Sequence, residues 1–172
     1  AEKILAIEPN HPDALKLKAR IAIKRQWNVE ARQAIEAARQ AAPDREDLLA
    51  DSIEIYQRIG ATEALRSGLA ELVRRNPDND DWADRLSSEG DLEASLAAWD
   101  RVLALRPTHI YAALARTRVL IDAGRVEAAL QQLDALSQRF PYEGLVQYRR
   151  AAALTLLGRD SEADAALKRA LA

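Results

Sequence analysis

Gly124–Pro141 reads GRVEAALQQLDALSQRFP, and its pattern decides how the rest of the chain is read. Apolar residues at Val126, Ala129, Leu130, Leu133 and Leu136 recur at helical spacing. The glycine before them can take the left-handed backbone of a tight turn. The proline after them lacks an N–H and disfavours helix in the residue before it, so the helix stops there. One such segment could be any amphipathic helix. The same punctuation, however, recurs along the whole chain.

Prolines stand at Pro9, Pro43, Pro77, Pro107 and Pro141, in steps of 34, 34, 30 and 34 residues. Each closes an apolar helical stretch: EKILAIEP, EAARQAAP, LAELVRRNP, DRVLALRP and LDALSQRFP. Pro12 sits in a first helical turn, where proline is tolerated. Gly60, Gly124 and Gly158 each follow a repeat proline by 17 residues. Gly90 follows Pro77 by 13, which places the missing four residues, about one turn, in the helix before it. Gln26 stands at the equivalent position after Pro9.

Further marks keep the same phase. Seven residues before each turn position stand Ala19, Ile53, Ala83, Thr117 and Ala151, and five after it stand Ala31, Leu65, Ser95, Ala129 and Ala163. Four residues further on come Ile35, Leu69, Trp99, Leu133 and Leu167. Small residues let two helices approach closely, and the larger ones fill the neighbouring groove.

A 34-residue helix–turn–helix with small residues at these offsets and a closing proline resembles the tetratricopeptide repeat (TPR). The resemblance covers essentially the whole chain. It implies an all-α, right-handed α-solenoid of antiparallel helix pairs. The expected units are a partial repeat at 1–9, then 10–43, 44–77, a shortened 78–107, 108–141 and 142–172. Helices are expected near 12–25, 28–41, 45–59, 62–75, 80–89, 92–105, 109–123, 126–139, 143–157 and 160–171. Asp44, Thr108 and Asp160 are expected as N-caps. The chain begins inside a repeat, so a module cut from a longer protein is expected. Leu167 and Leu171 then face outward with no following unit to cover them.

Composition agrees with such an array. The chain has 172 residues, 48% of them apolar and 30% charged, and neither cysteine nor methionine. No disulfide, thiolate metal site or cysteine nucleophile is possible. The apolar runs fall short of the ~20 residues a membrane span needs. No leader pattern opens the chain, so a cytoplasmic setting is the expectation, with a periplasmic one if a leader was removed.

Candidate chemistry is sparse. His11 and His109 each follow a repeat proline by two residues and have no convergent partners in sequence. They read as turn residues. Asp78, Asp80, Asp81 and Asp84 straddle a predicted helix start, where acids favour the positive end of the dipole, and they lack the spacing of a calcium loop. Trp99 falls at a core position, and Trp82 is expected to fill space left by the missing turn. No phosphate loop or serine elbow is present. No enzyme activity, metal or cofactor is therefore expected.

Charge is segregated beneath the net −2: residues 1–42 carry +3, residues 43–100 carry −9 and residues 101–172 carry +4. In the family that the sequence resembles, the first helix of each pair lines a concave face. The resemblance thus nominates Lys16, Arg20, Asp51, Glu54, Asp81, Asp84, Tyr111, Arg118 and Tyr148 as peptide-binding candidates. The function it implies is a non-catalytic scaffold that binds a protein or peptide, with an extended, basic segment drawn to the acidic middle. Self-association through uncapped ends is a further expectation, and the TPR portion of a larger bacterial glycosyltransferase or sulfotransferase is the alternative. With no continuous basic face, nucleic acid is not an expected partner.

Overall fold

The computed structural model describes residues 1–171, and its described residues form eleven helices and no strand. In chain order these are α1 (Glu2–Leu5), α2 (Pro12–Lys24), α3 (Asn28–Ala41), α4 (Glu46–Ile59), α5 (Thr62–Arg75), α6 (Asp80–Ser88), α7 (Leu92–Leu105), α8 (Ile110–Asp122), α9 (Val126–Arg139), α10 (Gly144–Leu156) and α11 (Asp160–Ala170). They fall into two compact units, the first holding α1–α5 and the second beginning at Pro77 with α6. The loop within each pair is too short for anything but an antiparallel hairpin.

The turns show why the glycines recur. Gly60, Gly90, Gly124 and Gly158 have φ of 70, 74, 74 and 69°, the left-handed region. Gln26 adopts the same conformation, with φ 61°. The first turn is therefore built like the others, against the steric preference of a residue with a Cβ. The 30-residue step is also explained: α6 has 9 residues where α8 has 13.

Packing follows the phase of the repeat. Ala19, Ile53, Ala83, Thr117 and Ala151 are all buried, and so are Ala31, Leu65, Ser95, Ala129 and Ala163. In the first unit Leu15 of α2, Ala38 of α3 and Leu48 of α4 share one cluster. In the second, Leu114, Leu130, Leu133, Val146 and Leu154 form the core between α8, α9 and α10, joined by Ala163 and Ala166 of α11. Trp99 is fully buried, and its Nε1 donates to the Ser87 hydroxyl at 2.9 Å. Trp82 is only half-buried, and its Nε1 is closed off from water without an acceptor.

Ile53 is large where its counterparts are mostly small, and the partner helix accommodates it. Gly68 of α5 is buried against it, and a Cβ on Gly68 would lie 2.5 Å from Ile53 Cδ1. The small residue has changed sides of the crossing. The prolines do a second job as acceptors. Arg75 donates to the Pro43 carbonyl at 3.0 Å, Arg106 to that of Pro77 at 3.3 Å and Arg139 to that of Pro107 at 3.0 Å.

The expected N-caps are corrected. Arg45, His109 and Arg159 occupy the N-cap positions of α4, α8 and α11, and none makes a side-chain cap bond. Side-chain caps come instead from His11, Asn79 and Asp91. Leu167 and Leu171 are 38% and 89% exposed.

Candidate functional site

The nominated residues of the first unit lie on the first helices α2 and α4, which carry opposite charges. Lys16 Nζ donates to Asp47 Oδ2 at 2.7 Å and lies 3.3 Å from Asp51 Oδ2. Arg20, one turn later, is 3.8 Å from the same Asp51 oxygen. Arg45 grips Asp47 through two nitrogens, at 3.0 and 2.7 Å, and reaches Asp13 at 2.7 Å. The Arg45 and Lys16 hydrogen bonds hold the Asp47 carboxyl well below the usual carboxylate range. The Asp47 hydrogen bond, aided by Asp51, raises Lys16 against its partial desolvation. Glu54, three residues beyond Asp51, has no such partner among the described residues. It is exposed at a cavity of about 210 Å³ that Arg20, Lys24, Asp51 and Arg58 also line.

In the second unit α8 plays the part of the cation donor. Asp84 of α6 accepts from the Tyr111 hydroxyl and, at 2.8 Å, from the Arg118 guanidinium. One turn earlier, Asp80 pairs with Arg106 and lies 2.6 Å from His109 Nε2. The Tyr111 ring stands edge-on to buried Trp99 with centroids 6.0 Å apart, which fixes its direction. The hydrogen bond to Asp84, then burial, pushes the Tyr111 phenol up to about 12. Arg118 also borders a cavity of about 350 Å³ lined by Ser87, Ser88, Asp91, Ser95 and Asp122. Among the described residues Asp81 is exposed and has no ion pair, and Tyr148 projects from α10 with 55% exposure.

The structure thus brings Lys16, Arg20 and Asp51 together in one unit, and Asp84, Tyr111 and Arg118 together in the other. Two of the four nominated acids are already engaged by cations of the neighbouring first helix. The residues that the sequence reading left out of the site are Arg45, Asp80 and Arg106. A signal for such pairing was present, because Lys16–Asp47 and Asp84–Arg118 are 31 and 34 residues apart, close to one repeat. Among the described residues no group of three or more acidic, histidine or cysteine side chains has the geometry to hold a metal. No helix is long and apolar enough to cross a membrane.

Comparison with known proteins places the fold. No family model matches the chain, and no curated protein matches it. Solved structures do. A crystal structure of MamA matches with a TM-score of 0.59 and 18% identity, over 93% of this chain and 90% of that one. YrrB, described as a TPR protein with an unusual peptide-binding site, matches with a TM-score of 0.56 and 17% identity, over 96% and 89%. A tetratricopeptide repeat protein from Parabacteroides merdae matches with a TM-score of 0.54 and 15% identity, over 99% and 69%. The chain has the all-α fold of the tetratricopeptide-repeat proteins.

Proposed function

We propose that this chain is a non-catalytic scaffold that binds a protein or peptide on the exposed face of its first helices. One observation carries the reading. Tyr111 of α8 and Tyr148 of α10 are 46% and 55% exposed on helices that touch one another. Leu145, 48% exposed, stands beside Tyr148 on α10. Aromatic side chains held out to solvent by a rigid scaffold bury large area at small entropic cost, and they dominate protein interfaces. YrrB, similar in fold, is titled as having a peptide-binding site, which supports the same use of the fold here.

The charged residues set what such a ligand meets. Glu54 in the first unit and Asp81 in the second are each open to a basic segment. Asp51 and Asp84 already pair with Lys16 and Arg118, which compete with such a segment. The Arg118–Asp84 pair is part-exposed and worth roughly 0–1 kcal/mol, so exchange there costs little and gains little. Electrostatics would therefore act on the association rate and the choice of partner more than on affinity.

The test is selection from a displayed random-peptide library on the whole chain. The expected outcome is enrichment of peptides whose binding is lost in Tyr148→Ala and weakened in Arg118→Ala, with the helical circular dichroism of both variants intact. Lys- and Arg-rich winners that lose affinity as salt rises would support the basic segment. Failure to enrich any peptide, or equal binding by Tyr148→Ala, overturns the proposal.

A further inference from the structure

Three arginines donate to the carbonyl oxygen of a repeat proline, and two of them are neutralised by an acid. Arg75 pairs with Glu71, one turn earlier on α5, and Arg106 pairs with Asp80. Arg139 of α9 holds the Pro107 carbonyl at 3.0 Å, with its guanidinium 5.4 Å from the centre of the Phe140 ring. It has no ion pair among the described residues.

Two differences between repeats account for this. Pro43 and Pro107 stand two repeat steps apart, and the same shift carries Arg39 to Leu103, Glu71 to Ala135 and Arg75 to Arg139. Beside Pro43 the groove between α3, α4 and α5 is occupied by its own charges. Arg39 donates to one Glu71 oxygen at 2.9 Å, and Arg75 grips the other oxygen of that carboxylate. Beside Pro107 both the filling cation and the bridging carboxylate are gone. What remains is a notch of about 360 Å³, lined by half-buried Leu103, Ala113 and Leu136 and by exposed Ala135 and Arg139. Arg116 also lines it, but that charge is met by Asp100, with Nε 2.7 Å from Oδ1. The walls come from α7, α8, α9 and the turn at Pro107, and helices of other repeats precede and follow them, so the notch lies inside the array.

The notch thus offers one apolar patch and one guanidinium with no counter-charge. An aliphatic side chain covers the first, and a carboxylate entering over Ala135 meets the second as Glu71 meets Arg75. Residues 101–172 carry +4, which favours an acidic visitor at longer range as well. The walls are half-buried rather than enclosed, so a backbone can run across them while its side chains enter. We infer that this notch receives a short acidic segment of a partner protein, which sets a carboxylate on Arg139 and an apolar side chain on Leu103 and Leu136. The site uses neither Tyr111 nor Tyr148, and it stands or falls independently of the first-helix face.

The experiment titrates the whole isotope-labelled chain with short synthetic peptides and reads amide shifts by nuclear magnetic resonance. Each peptide carries two leucines and two glutamates in a glycine–serine background, with the glutamate-to-leucine spacing varied across the set, and each has a twin with glutamine for glutamate. The expected result is that at least one glutamate peptide shifts the amides of Leu103, Ala135, Leu136 and Arg139 with a Kd below about 10 mM. Glutamine in the peptide, or Arg139→Gln in the chain, should weaken that binding about twofold to fivefold. Leu103→Arg together with Ala135→Glu rebuilds the network found beside Pro43 and should abolish the shifts, with helical circular dichroism intact. If no peptide shifts those four amides, the inference is overturned. Equal binding by the glutamine twins or by Arg139→Gln overturns it too, as do shifts that survive in the rebuilt variant. Sedimentation of the chain alone addresses the other occupant: a dimer that Arg139→Gln disperses would assign the notch to a second copy and overturn the inference.

Discussion

Gly68→Ala separates two opposing effects whose sizes can be worked out from the structure. An alanine in the middle of α5 should gain about 1 kcal/mol over glycine from helix propensity alone. The new Cβ, however, lands 2.5 Å from Ile53 Cδ1, with the next Ile53 atom, Cγ1, at 3.8 Å. Carbon atoms in good contact stand about 3.5–4.0 Å apart, so the isoleucine must leave its rotamer or the helices must part. Ile53 is fully buried, which leaves it no open space to move into. Overpacking of this kind costs about 1–3 kcal/mol, so the single variant should be neutral to destabilised by about 2 kcal/mol. Ile53→Val removes the offending methyl and by itself should cost about 0.5–1.5 kcal/mol. In that background the Gly68→Ala side chain meets only ordinary contacts, and the substitution should stabilise by about 1 kcal/mol. The coupling between the two sites is then about 1–3 kcal/mol in favour of the double variant. Equilibrium urea unfolding of the four proteins, followed by far-ultraviolet circular dichroism, measures it. If Gly68→Ala has the same effect with isoleucine as with valine at position 53, the close approach is not what accommodates Ile53.

Three further outcomes follow from the same geometry. Gln26→Gly should stabilise by about 0.5–1 kcal/mol, because φ is 61° there, and a loss of stability on thermal melting would contradict that account. Ala129→Leu should cost about 1–3 kcal/mol, since Ala129 is fully buried at a helix crossing, and a melting temperature equal to that of the parent would rule the crossing out. Tyr111 should ionise near 12, late for a phenol. A raised folded-state value means that its contribution is complete below about 10, the unfolded value, and is lost as pH climbs from there through the folded value. Ultraviolet titration should show this late phenol moving to lower pH in Asp84→Asn, and an unmoved titration would break the Asp84–Tyr111 link.

The periodic features were legible because they depend on the backbone and on close helix packing. Pro107 and Gly124 restrict which conformations their residues can adopt, and that restriction is written in the residue type. Small residues such as Ala19 and Ala129 keep the phase of the crossing for the same reason. Ile53 broke that rule, and its compensation at Gly68 was hidden because the two are on different helices with no local signature. The N-caps were misplaced for a local reason: several residues near each turn can act as the first helical residue, and Asp160 falls one position inside the start of α11. The candidate residues were legible in their placement on helices and less so in their electrostatics. Net charge by segment shows acids in the middle, but Lys16 and Arg118 reach across to Asp51 and Asp84 through packing that composition does not encode.

The central claim, that the first helices form a ligand face, is tested most directly by nuclear magnetic resonance. Isotope-labelled chain is titrated with the best peptide from the display selection, and amide shifts are mapped residue by residue. The account predicts that the largest shifts cluster on α8 and α10 around Tyr111, Arg118, Leu145 and Tyr148, and that they vanish in Tyr148→Ala. Shifts centred on α9, with α8 and α10 unmoved, would contradict it.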